Sequence, residues 1–401
     1  CAIILNNVIT IVYTGSVYIS SANNLYYDTL AAGETLADVD LKLNTRNARN
    51  ILSGLSNATY AYALEVLDAN AKLRADALNP DYVPGGTEPQ YLKPMQGLDF
   101  VQDAVGVNAG SGLETAARLA GLAGAAQSAQ QTMQATTDVI AARAGMGVMS
   151  NLVVSERNGF GLWFAPIYRM QDADGFKADG LDAGADIDLY GAALGADYAF
   201  MDSAKVGVMF NLGSGSADGN GAGSGVDNDF DYYSLAAYAA VTPISNLTLL
   251  ADLSYSVADN DIEAESGVEG YGKLGTSLDS TALSLGVSAQ YELNLAAVDI
   301  TPHIGLRYTS LDVDDYSVDS DAGILAHSDS DRMSLFSIPV GVKFSRDFVS
   351  NNWTISPAFD LTLTGNMGDD ELEAETTFVG AEGYEARLTT EVIDSFVYGA
   401  A

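Results

Sequence analysis

Apolar and polar positions alternate with a period of two over long segments between residue 159 and the end of the chain. In segment 281–294 one face is apolar and consists of Leu283, Leu285, Val287, Ala289, Tyr291 and Leu293. Similar segments begin near residues 159, 187, 205, 232, 246, 281, 298, 334, 353 and 391, and the last of them is incomplete. Because side chains of a β-strand point alternately to opposite faces, the pattern predicts ten consecutive strands.

These alternating segments are longer than the strands of most soluble proteins. Most run for about ten residues, whereas strands of soluble sheets average about five or six, and a strand that crosses a bilayer needs about 9–11. Aromatic residues such as Tyr255, Tyr308 and Trp353 lie near the ends of the apolar faces, which is typical of membrane-interface girdles. The other faces carry Gly, Ser, Thr and charges, which suit a water-filled lumen. The predicted fold class is therefore an all-β transmembrane β-barrel.

The connections between the predicted strands alternate between short and long. Short connections lie near 201–204, 242–246, 294–297 and 348–352, and long ones near 171–186, 214–229, 258–280, 310–333 and 365–391. Acidic residues concentrate in the long connections. Since outer-membrane barrels have tight periplasmic turns and long external loops, we expect the acidic segments to be loops outside the cell.

The first 150 residues have a different character. Residues 1–40 predict short strands, residues 41–78 predict a helix, and residues 79–96 predict a linker that contains several Pro and Gly. A further helix is predicted from Leu113 to Gly145, and Ser111 with Glu114 fits a capping box at its start. Its side chains are mostly small, which is equally compatible with a surface helix and with a thin helix inside a barrel lumen.

Composition narrows the possible partners. The chain has 53 acidic and 18 basic residues, a formal net charge of −35, which argues against nucleic acid because phosphate binding needs clustered Lys and Arg. Cys1 is the only cysteine, so no disulfide framework is expected. No apolar run is long enough for a transmembrane helix, and the sequence has neither an initial Met nor a signal peptide. We expect a fragment whose natural N-terminus lies upstream.

No group of residues predicts catalysis. His303 and His327 are the only two histidines, one on a polar strand face and one in an acidic segment. The acidic segments lack the complete spacing of a calcium loop, and the Gly-rich segments are not followed by the Lys of a phosphate-binding loop. We expect no catalytic residue, no cofactor, no metal site and no enzyme activity.

Two basic residues stand out because they lie on the small-residue helix. These are Arg118 and Arg143. The inward faces of the predicted strands supply the carboxylates of Asp252, Glu292 and Asp299. We hypothesise that ion pairs between helix and wall seat the helix in the lumen. Replacing both arginines with Ala would then raise the pore conductance.

Four features in order resemble the autotransporter family over residues 111–401. They are the small-residue helix 113–145, the strand 161–168, the loop 172–176 and the stretch 188–198. The resemblance implies a twelve-strand barrel with an α-helix through its lumen, placed in the outer membrane of a Gram-negative bacterium. It also implies export and surface display of an N-terminal passenger, contact with outer-membrane lipid, assistance by the barrel-insertion machinery, and a monomer.

The resemblance also divides the chain. Residues 1–110 would be the end of the passenger and its junction, residues 111–150 the lumen helix, and residues 151–401 the barrel. The family normally ends on a strand with a terminal aromatic residue, whereas this chain ends at Ala401, so we expect the last two strands to be missing. The helix carries no Asn-Asn pair of the kind at which some members cleave themselves, so self-cleavage is not expected.

Two other functions stay open from the sequence. The first is an outer-membrane channel or adhesin barrel with an N-terminal periplasmic domain, and the second is a soluble β-rich surface adhesin. The first alternative differs from the autotransporter prediction in the location of residues 1–110, which would lie in the periplasm and not outside the cell. Polar inward faces count against the second alternative, because a dry sandwich core would have to bury them.

Overall fold

A computed structural model describes most of the chain after residue 110 and short segments before it. The described residues are 2–5, 8–13, 16–21, 25–27, 41–43, 97, 100–101, 103–104, 110–146, 152–295, 298–346, 348–350, 353–355, 357–380 and 385–400. The predicted linker 79–96 and nearly all of the predicted helix 41–78 lie outside them. The one described part of that helix, Leu41–Leu43, is a strand, so the helix does not begin at residue 41.

The N-terminal segment forms an antiparallel sheet of short strands, as predicted for residues 1–40. Five strands follow one another in sequence order: β1 (Ala2–Leu5), β2 (Val8–Tyr13), β3 (Ser16–Ser21), β4 (Leu25–Tyr27) and β5 (Leu41–Leu43). Runs of β-branched residues such as those of β2 favour this extended backbone.

The predicted single helix is divided into three pieces: α1 (Gly110–Ala117), α2 (Leu119–Leu122) and α3 (Ala125–Arg143). Arg118 leaves the helical region with φ −143° and ψ 41°. Gly124 has φ +68°, a left-handed conformation that glycine adopts without steric cost. The first break falls at Arg118 and the second at Ala123 and Gly124. Since α1 begins at Gly110, Ser111 lies inside its first turn and is not the N-cap residue that the capping box predicts.

The remaining strands form one large sheet and a separate small hairpin. The strands are β6 (Leu152–Arg157), β7 (Phe160–Ala178), β8 (Leu181–Met201), β9 (Ala204–Gly221), β10 (Val226–Ile244), β11 (Leu247–Glu265), β12 (Lys273–Tyr291), β13 (Leu293–Asn294), β14 (Asp299–Val313), β15 (Tyr316–Ser320), β16 (Gly323–Ser330), β17 (Met333–Ser345), β18 (Phe348–Ser350), β19 (Trp353–Ile355), β20 (Ala358–Gly368), β21 (Glu371–Phe378), β22 (Ala386–Glu391) and β23 (Phe396–Ala400). Strands β18 and β19 pair only with each other among the described residues.

The large sheet is antiparallel and returns to its starting strand. Its order is β11-β10-β9-β8-β7-β22-β21-β16-β15-β12, and β12 pairs with β11. The strand pairing between β22 and β7 has one register pair, Thr390 and Ala178. From β12 the sheet also continues through β14, β17 and β20 to β23. The predicted β-barrel class is confirmed, whereas the expected total of twelve strands stays a prediction.

The long connections expected at 171–186, 214–229 and 258–280 are wrong. Strands β7 to β12 each run for 18 to 21 residues, so most of these acidic segments are strand. In place of the first predicted connection, 171–186, β7 and β8 are joined by a two-residue turn at Asp179 and Gly180, which have φ +45° and +87°. Positive φ at both positions matches the right-handed twist of the flanking strands, and Asp-Gly favours it. Segments 310–333 and 365–391 are likewise largely strand.

The outward and inward faces of the strands exchange polarity part of the way along. On β10, the exposed Tyr233 and Leu235 flank the buried Ser234, so the outer face there is apolar and the inner face polar. Nearer the start of the strand, the exposed Asp229 and Asp231 flank the buried Phe230, and the polarity is reversed. The proximal half is the part with an apolar outer face, next to the turns at 158–159, 202–203 and 245–246. The distal half is the part with an acidic outer face, next to the turns at 179–180, 222–225 and 321–322.

The proximal half has the surface of a membrane-spanning barrel. Its exposed large apolar side chains lie on neighbouring strands and include Tyr190, Leu194, Tyr198, Val206, Val208, Phe210, Leu212, Leu235, Leu249, Leu253, Tyr255, Leu283, Leu285, Val287, Ile304 and Leu306. On β8 the apolar outer face extends from Tyr190 to Phe200, close to the about 9–11 residues that a tilted strand needs to cross a bilayer. No helix in the described residues is long and apolar enough to span a membrane.

The three helices lie inside the ring of strands. Helix α3 contacts β7, β8, β9, β10, β11, β12 and β14. Most of its residues are buried, although many of them are polar. Small side chains such as those of Ala125, Ala126 and Ala129 are fully enclosed. The lumen is therefore filled by a thin helix, which its small-residue composition allows.

Like charges face one another across the acidic outer face, and they make this half of the barrel sensitive to pH. Asp218 on β9 lies directly opposite Asp186 on β8 and Asp227 on β10. Partial burial and these two neighbouring carboxylates raise the pKa of Asp218 above its usual value of 3.8. Carboxylates placed opposite each other in a sheet are destabilising when both are ionised.

We expect Asp218→Asn to raise the stability of the folded protein at neutral pH. The folded state binds the Asp218 proton more tightly than the unfolded state does, so the wild type gains stability as pH falls through the raised pKa towards 3.8. The advantage of the variant should therefore be present at pH 7 and absent at pH 3. Urea unfolding midpoints in detergent at the two pH values measure it. An equal advantage at both pH values would contradict the electrostatic cause.

Candidate functional site in the barrel lumen

The C-terminal end of α3 is tied to the wall by a buried ion pair. Arg143 donates from Nε to Asp197 Oδ2 at 2.5 Å and from Nη2 to Asp197 Oδ1 at 3.0 Å. Asp197 is on the inward face of β8 and is 5% exposed. The Tyr238 hydroxyl donates to the same carboxylate at 2.9 Å, and the Trp163 indole N–H donates to Tyr238 at 3.2 Å. Both carboxylate oxygens are thus satisfied inside the lumen, which a buried charge requires.

Wall side chains also donate to the last carbonyl groups of the helical segment. Lys205 Nζ donates to the Arg143 carbonyl at 2.6 Å. Gln290 Nε2 and Lys343 Nζ donate to the Gly145 carbonyl at 3.0 and 3.3 Å. A helix C-terminus carries partial negative charge and unpaired carbonyl groups, and cations stabilise both. The wall therefore caps α3 at the proximal end.

Further polar side chains of α3 bind the wall inside the proximal half. Arg169 donates to Gln131 at 2.6 Å and to Asp138 at 2.8 Å. Asn211 donates to the Thr136 hydroxyl at 2.9 Å. A buried polar group is stable only when it is hydrogen-bonded, so these bonds fix the rotation and height of the helix.

The break between α2 and α3 is held by a pair of asparagines on the wall. Asn228 donates to the Ala123 carbonyl at 3.3 Å and to the Asn260 side chain at 3.0 Å. Asn260 in turn accepts from the Ser128 hydroxyl at 2.8 Å. The interruption of the helix leaves the Ala123 carbonyl without a helical partner, and the Asn228 side chain supplies one.

A second buried ionic contact lies at the distal end. Arg118, 1% exposed, lies 2.8 Å from Glu114 and 2.5 Å from Asp179 of the β7–β8 turn. Its guanidinium also donates to the Thr389 carbonyl at 3.1 Å. Asp179 accepts from the Thr389 backbone N–H and hydroxyl, so one carboxylate of the β7–β8 turn joins Arg118 to β22.

The three carboxylates predicted from the sequence occupy other positions. Asp252 binds Arg307 of β14 through two bonds of 2.8 and 3.0 Å, so it joins wall to wall. Glu292 is exposed at the proximal edge, and Asp299 at the start of β14 is half-buried. The described ion pairs of Arg118 and Arg143 are with Glu114, Asp179 and Asp197. The pairing predicted for Asp252 is wrong because its carboxylate binds Arg307 of the wall.

The described residues contain no cluster of three or more His, Cys, Asp or Glu side chains that could hold a metal ion. His303 binds Asp360 through Nε2 at 3.0 Å. Thr362, the hydroxyl nearest to this pair, lies 3.4 Å from the same Nε2. A catalytic triad needs the nucleophile and the carboxylate on different ring nitrogens, so the arrangement lacks that geometry. What the lumen provides is a set of contacts that hold a helix.

A comparison with protein-family models identifies the family of the chain. The family model of the autotransporter β-domain matches residues 162–400, more than half of the chain. Among solved structures, the chain is similar to the translocator domain of the autotransporter NalP from Neisseria meningitidis, with 14% identity, 68% of this chain and 95% of that chain covered, and a TM-score of 0.42. The transport unit of the autotransporter AIDA-I from Escherichia coli shows 11% identity, coverage of 69% and 98%, and a TM-score of 0.41.

No curated protein matches the sequence. The match to the family model nevertheless covers the barrel strands from β7 to β23 almost completely. That family is a transport and anchoring fold and not a family of enzymes. The chain belongs to the autotransporter family, and its barrel is the outer-membrane anchor and translocator of a passenger in a Gram-negative bacterium.

Proposed function

We propose that α3 stays in the lumen when export is complete and joins the displayed passenger to the barrel. The observation that carries this proposal is the direction of α3. It ends at Arg143 near the proximal turns, where β7 begins, and its start at Ala125 is next to the wall of the distal half. The chain before α3 therefore leaves the lumen at the distal end. For a translocator that exports a passenger, the distal end is the outside of the cell.

The two ionic contacts support retention of the helix. Withdrawing α3 from the lumen would separate Arg143 from Asp197 and leave a buried carboxylate without its cation. Arg118 with Asp179 opposes the same movement at the other end. A passenger joined to this helix would stay attached to the cell surface.

The proposal assigns a role to each part of the chain. Residues 1–110 are the end of the passenger and its junction, residues 111–150 are the plug, and residues 151–401 are the barrel. The apolar outer band of the proximal half contacts outer-membrane lipid, and the acidic outer face of the distal half lies outside the cell. The barrel acts as a monomer, is inserted with the help of the barrel-insertion machinery, and performs no catalysis itself.

The orientation has a test based on two matched serines. Ser224 in the distal turn 222–225 and Ser245 in the proximal turn 245–246 are both exposed. Each is replaced with Cys in a Cys1→Ser background, which removes the only native thiol. We expect a membrane-impermeant maleimide to label Ser224→Cys on intact cells. It should label Ser245→Cys only after the outer membrane is permeabilised.

The reverse labelling pattern would overturn the orientation. It would favour the alternative of a channel or adhesin barrel whose N-terminal domain lies in the periplasm. The fully permeabilised sample is the control, because both thiols must react there to the same extent.

A further inference from the structure

We propose that the distal end of the barrel clamps the chain just ahead of α1, so that a pull on the displayed passenger is resisted there before it reaches α3. One side of the clamp is the connection 266–272 between β11 and β12. The other side, the clamp segment, is the described part of the chain between residues 97 and 104: Gly97, Phe100, Val101, Asp103 and Ala104. The role of the clamp rests on the proposed function, because it needs a passenger outside the cell, whereas its contacts do not.

Phe100 holds the clamp segment at the distal end. Its side chain is completely buried. Its ring packs edge-on against the Tyr271 ring, with centroids 5.1 Å apart, and is stacked on the Phe378 ring of β21 at 6.2 Å. The Tyr271 hydroxyl also donates to the Asp103 carboxylate at 3.4 Å. Because edge-to-face and offset-stacked rings attract each other beyond the effect of burial, removing Phe100 from this site requires a force.

Gly97 brings the backbone of the clamp segment directly against the wall. A Cβ atom at this position would overlap the Leu325 carbonyl oxygen of β16 and would lie 2.5 Å from the Val379 nitrogen of the β21–β22 turn. The Val379 N–H donates to that same Leu325 carbonyl at 2.8 Å. The segment therefore lies against two hydrogen-bonded backbone groups that cannot move aside, and only glycine allows so close an approach.

The connection 266–272 is shaped to receive the clamp segment. Val268 and Tyr271 are 5% and 7% exposed, and both belong to the same buried apolar cluster as Phe100. The Tyr271 N–H donates to the Val268 carbonyl at 3.2 Å, and the Asp321 N–H of the β15–β16 turn donates to the Tyr271 carbonyl at 3.1 Å. Connections between strands normally lie on the surface. This one turns two large side chains inward, and its backbone is fixed by bonds within itself and to the neighbouring turn.

The position of the clamp segment along the chain decides the order in which contacts bear a load. The passenger precedes residue 97, and α1 begins at Gly110. The ion pairs of Arg118 and Arg143 lie further along the same chain. A pull from the passenger therefore acts on these ion pairs only after Phe100 has left its site. The clamp thus protects the contacts of α3 from forces on the cell surface.

Single-molecule pulling on the purified full chain in nanodiscs tests this order. Thr87→Cys and Ser245→Cys, in a Cys1→Ser background, provide one handle ahead of the clamp segment and one in the proximal turn 245–246. Tension between them draws the chain out at the distal end while the barrel is held. We expect Phe100→Ala to lower the force of the first rupture about twofold, because both ring contacts are lost. Arg143→Ala should leave the first rupture unchanged and weaken a later one.

The matched control is Phe230→Ala. Phe230 is 3% exposed on the inner face of β10 in the distal half, but it belongs to a different apolar cluster. We expect this variant to keep the wild-type force of the first rupture. Heat-modifiable migration in gels verifies that each variant is folded. Equal weakening by Phe230→Ala would overturn the clamp, as would a first rupture that weakens in Arg143→Ala and not in Phe100→Ala.

A second measurement needs no change at Phe100. Val101→Cys places a thiol at a fully buried position of the clamp segment, and Ser224→Cys places one in an exposed distal turn. We expect a maleimide to react with the first at least about tenfold more slowly in the purified protein, because reaction there requires local opening. Equal rates would contradict the clamp. Reversed labelling of the barrel on intact cells would instead refute the proposed orientation and leave the order of ruptures unchanged.

Discussion

Arg143→Ala should be among the most destabilising single substitutions in the lumen, with an expected cost of about 3–5 kcal/mol, because it leaves a buried carboxylate without its cation. Asp197 is enclosed by β8 and by the Trp163–Tyr238 pair, and its remaining donor is the Tyr238 hydroxyl. The loss applies to the folded state alone, since water solvates Asp197 in the unfolded chain. Chemical denaturation of the protein in detergent measures the free energy of unfolding.

A double-mutant cycle separates the ion pair from other effects of the substitution. Adding Asp197→Ala to Arg143→Ala should recover part of the lost stability, because no unpaired charge then remains in the lumen. The matched control is Arg332→Ala, which removes an arginine paired with Asp312 where the guanidinium is mostly exposed. Exposed pairs contribute about 0–1 kcal/mol, so the control should be nearly neutral. Additive losses in the cycle would show that Arg143 and Asp197 act independently.

Gly195→Ala should destabilise the barrel in the presence of Trp163 and be tolerated in its absence. A Cβ atom at Gly195 would lie 2.0 Å from the Trp163 ring, which is 1% exposed and has no space into which to move. Overpacking of this kind costs about 1–3 kcal/mol. Trp163→Ala should cost about 3–5 kcal/mol alone, because it opens a cavity beside α3. In that background the additional loss from Gly195→Ala should be close to zero.

The control for this pair is Gly365→Ala on β20. Its added methyl group would meet only ordinary contacts, the nearest at 3.6 Å from Phe396. We expect little change in the free energy of unfolding there. If Gly195→Ala and Gly365→Ala behaved alike in the wild type, the close approach of Gly195 to Trp163 would not be what constrains that position.

The strands of the proximal half could be predicted from the sequence because contact with lipid on one face and with the lumen on the other fixes their pattern. Lipid requires an apolar outer face, and the lumen accepts small and polar residues, so alternation such as that of Leu283, Leu285 and Val287 identifies the face as well as the strand. The helix was also predicted, but its breaks were not. Arg118 is a good helix former, and its non-helical backbone occurs where its side chain makes a tertiary ion pair with Asp179.

The acidity of the distal strands resembles that of external loops, although their period of two is that of strands. Asp227, Asp229 and Asp231 alternate with Asn228 and Phe230, so the period of two continues across the change of polarity. The dipeptide Asp179-Gly180 was a further signal, since Asp-Gly between alternating segments favours a two-residue hairpin turn. Both signals were available in the sequence.

The wall partners of the arginines could be found from the sequence only in part. Asp197 has the same parity as Ile187 and Leu189 on the inward face of β8, which marks it as a lumen residue. Parity does not tell which side of the lumen the end of the helix approaches, and that side decides between Asp197 and Asp252, which belong to the same cross-strand row of the wall. Asp179 belongs to a turn and carries no such signal. The wall partners therefore depend on tertiary packing.

The exchange of polarity along each strand has a consequence for pairing errors during assembly. If a strand slipped by one residue against its neighbour, all of its side chains would move to the opposite face. In the proximal half, apolar side chains would enter the lumen and polar ones would meet lipid. In the distal half, the same slip would drive acids such as Asp229 into the interior and expose Phe230. A slipped hairpin would therefore be destabilised both in the membrane and in the water around the distal half. The acidic parts of the strands thus add to the free-energy difference between the correct and the slipped alignment.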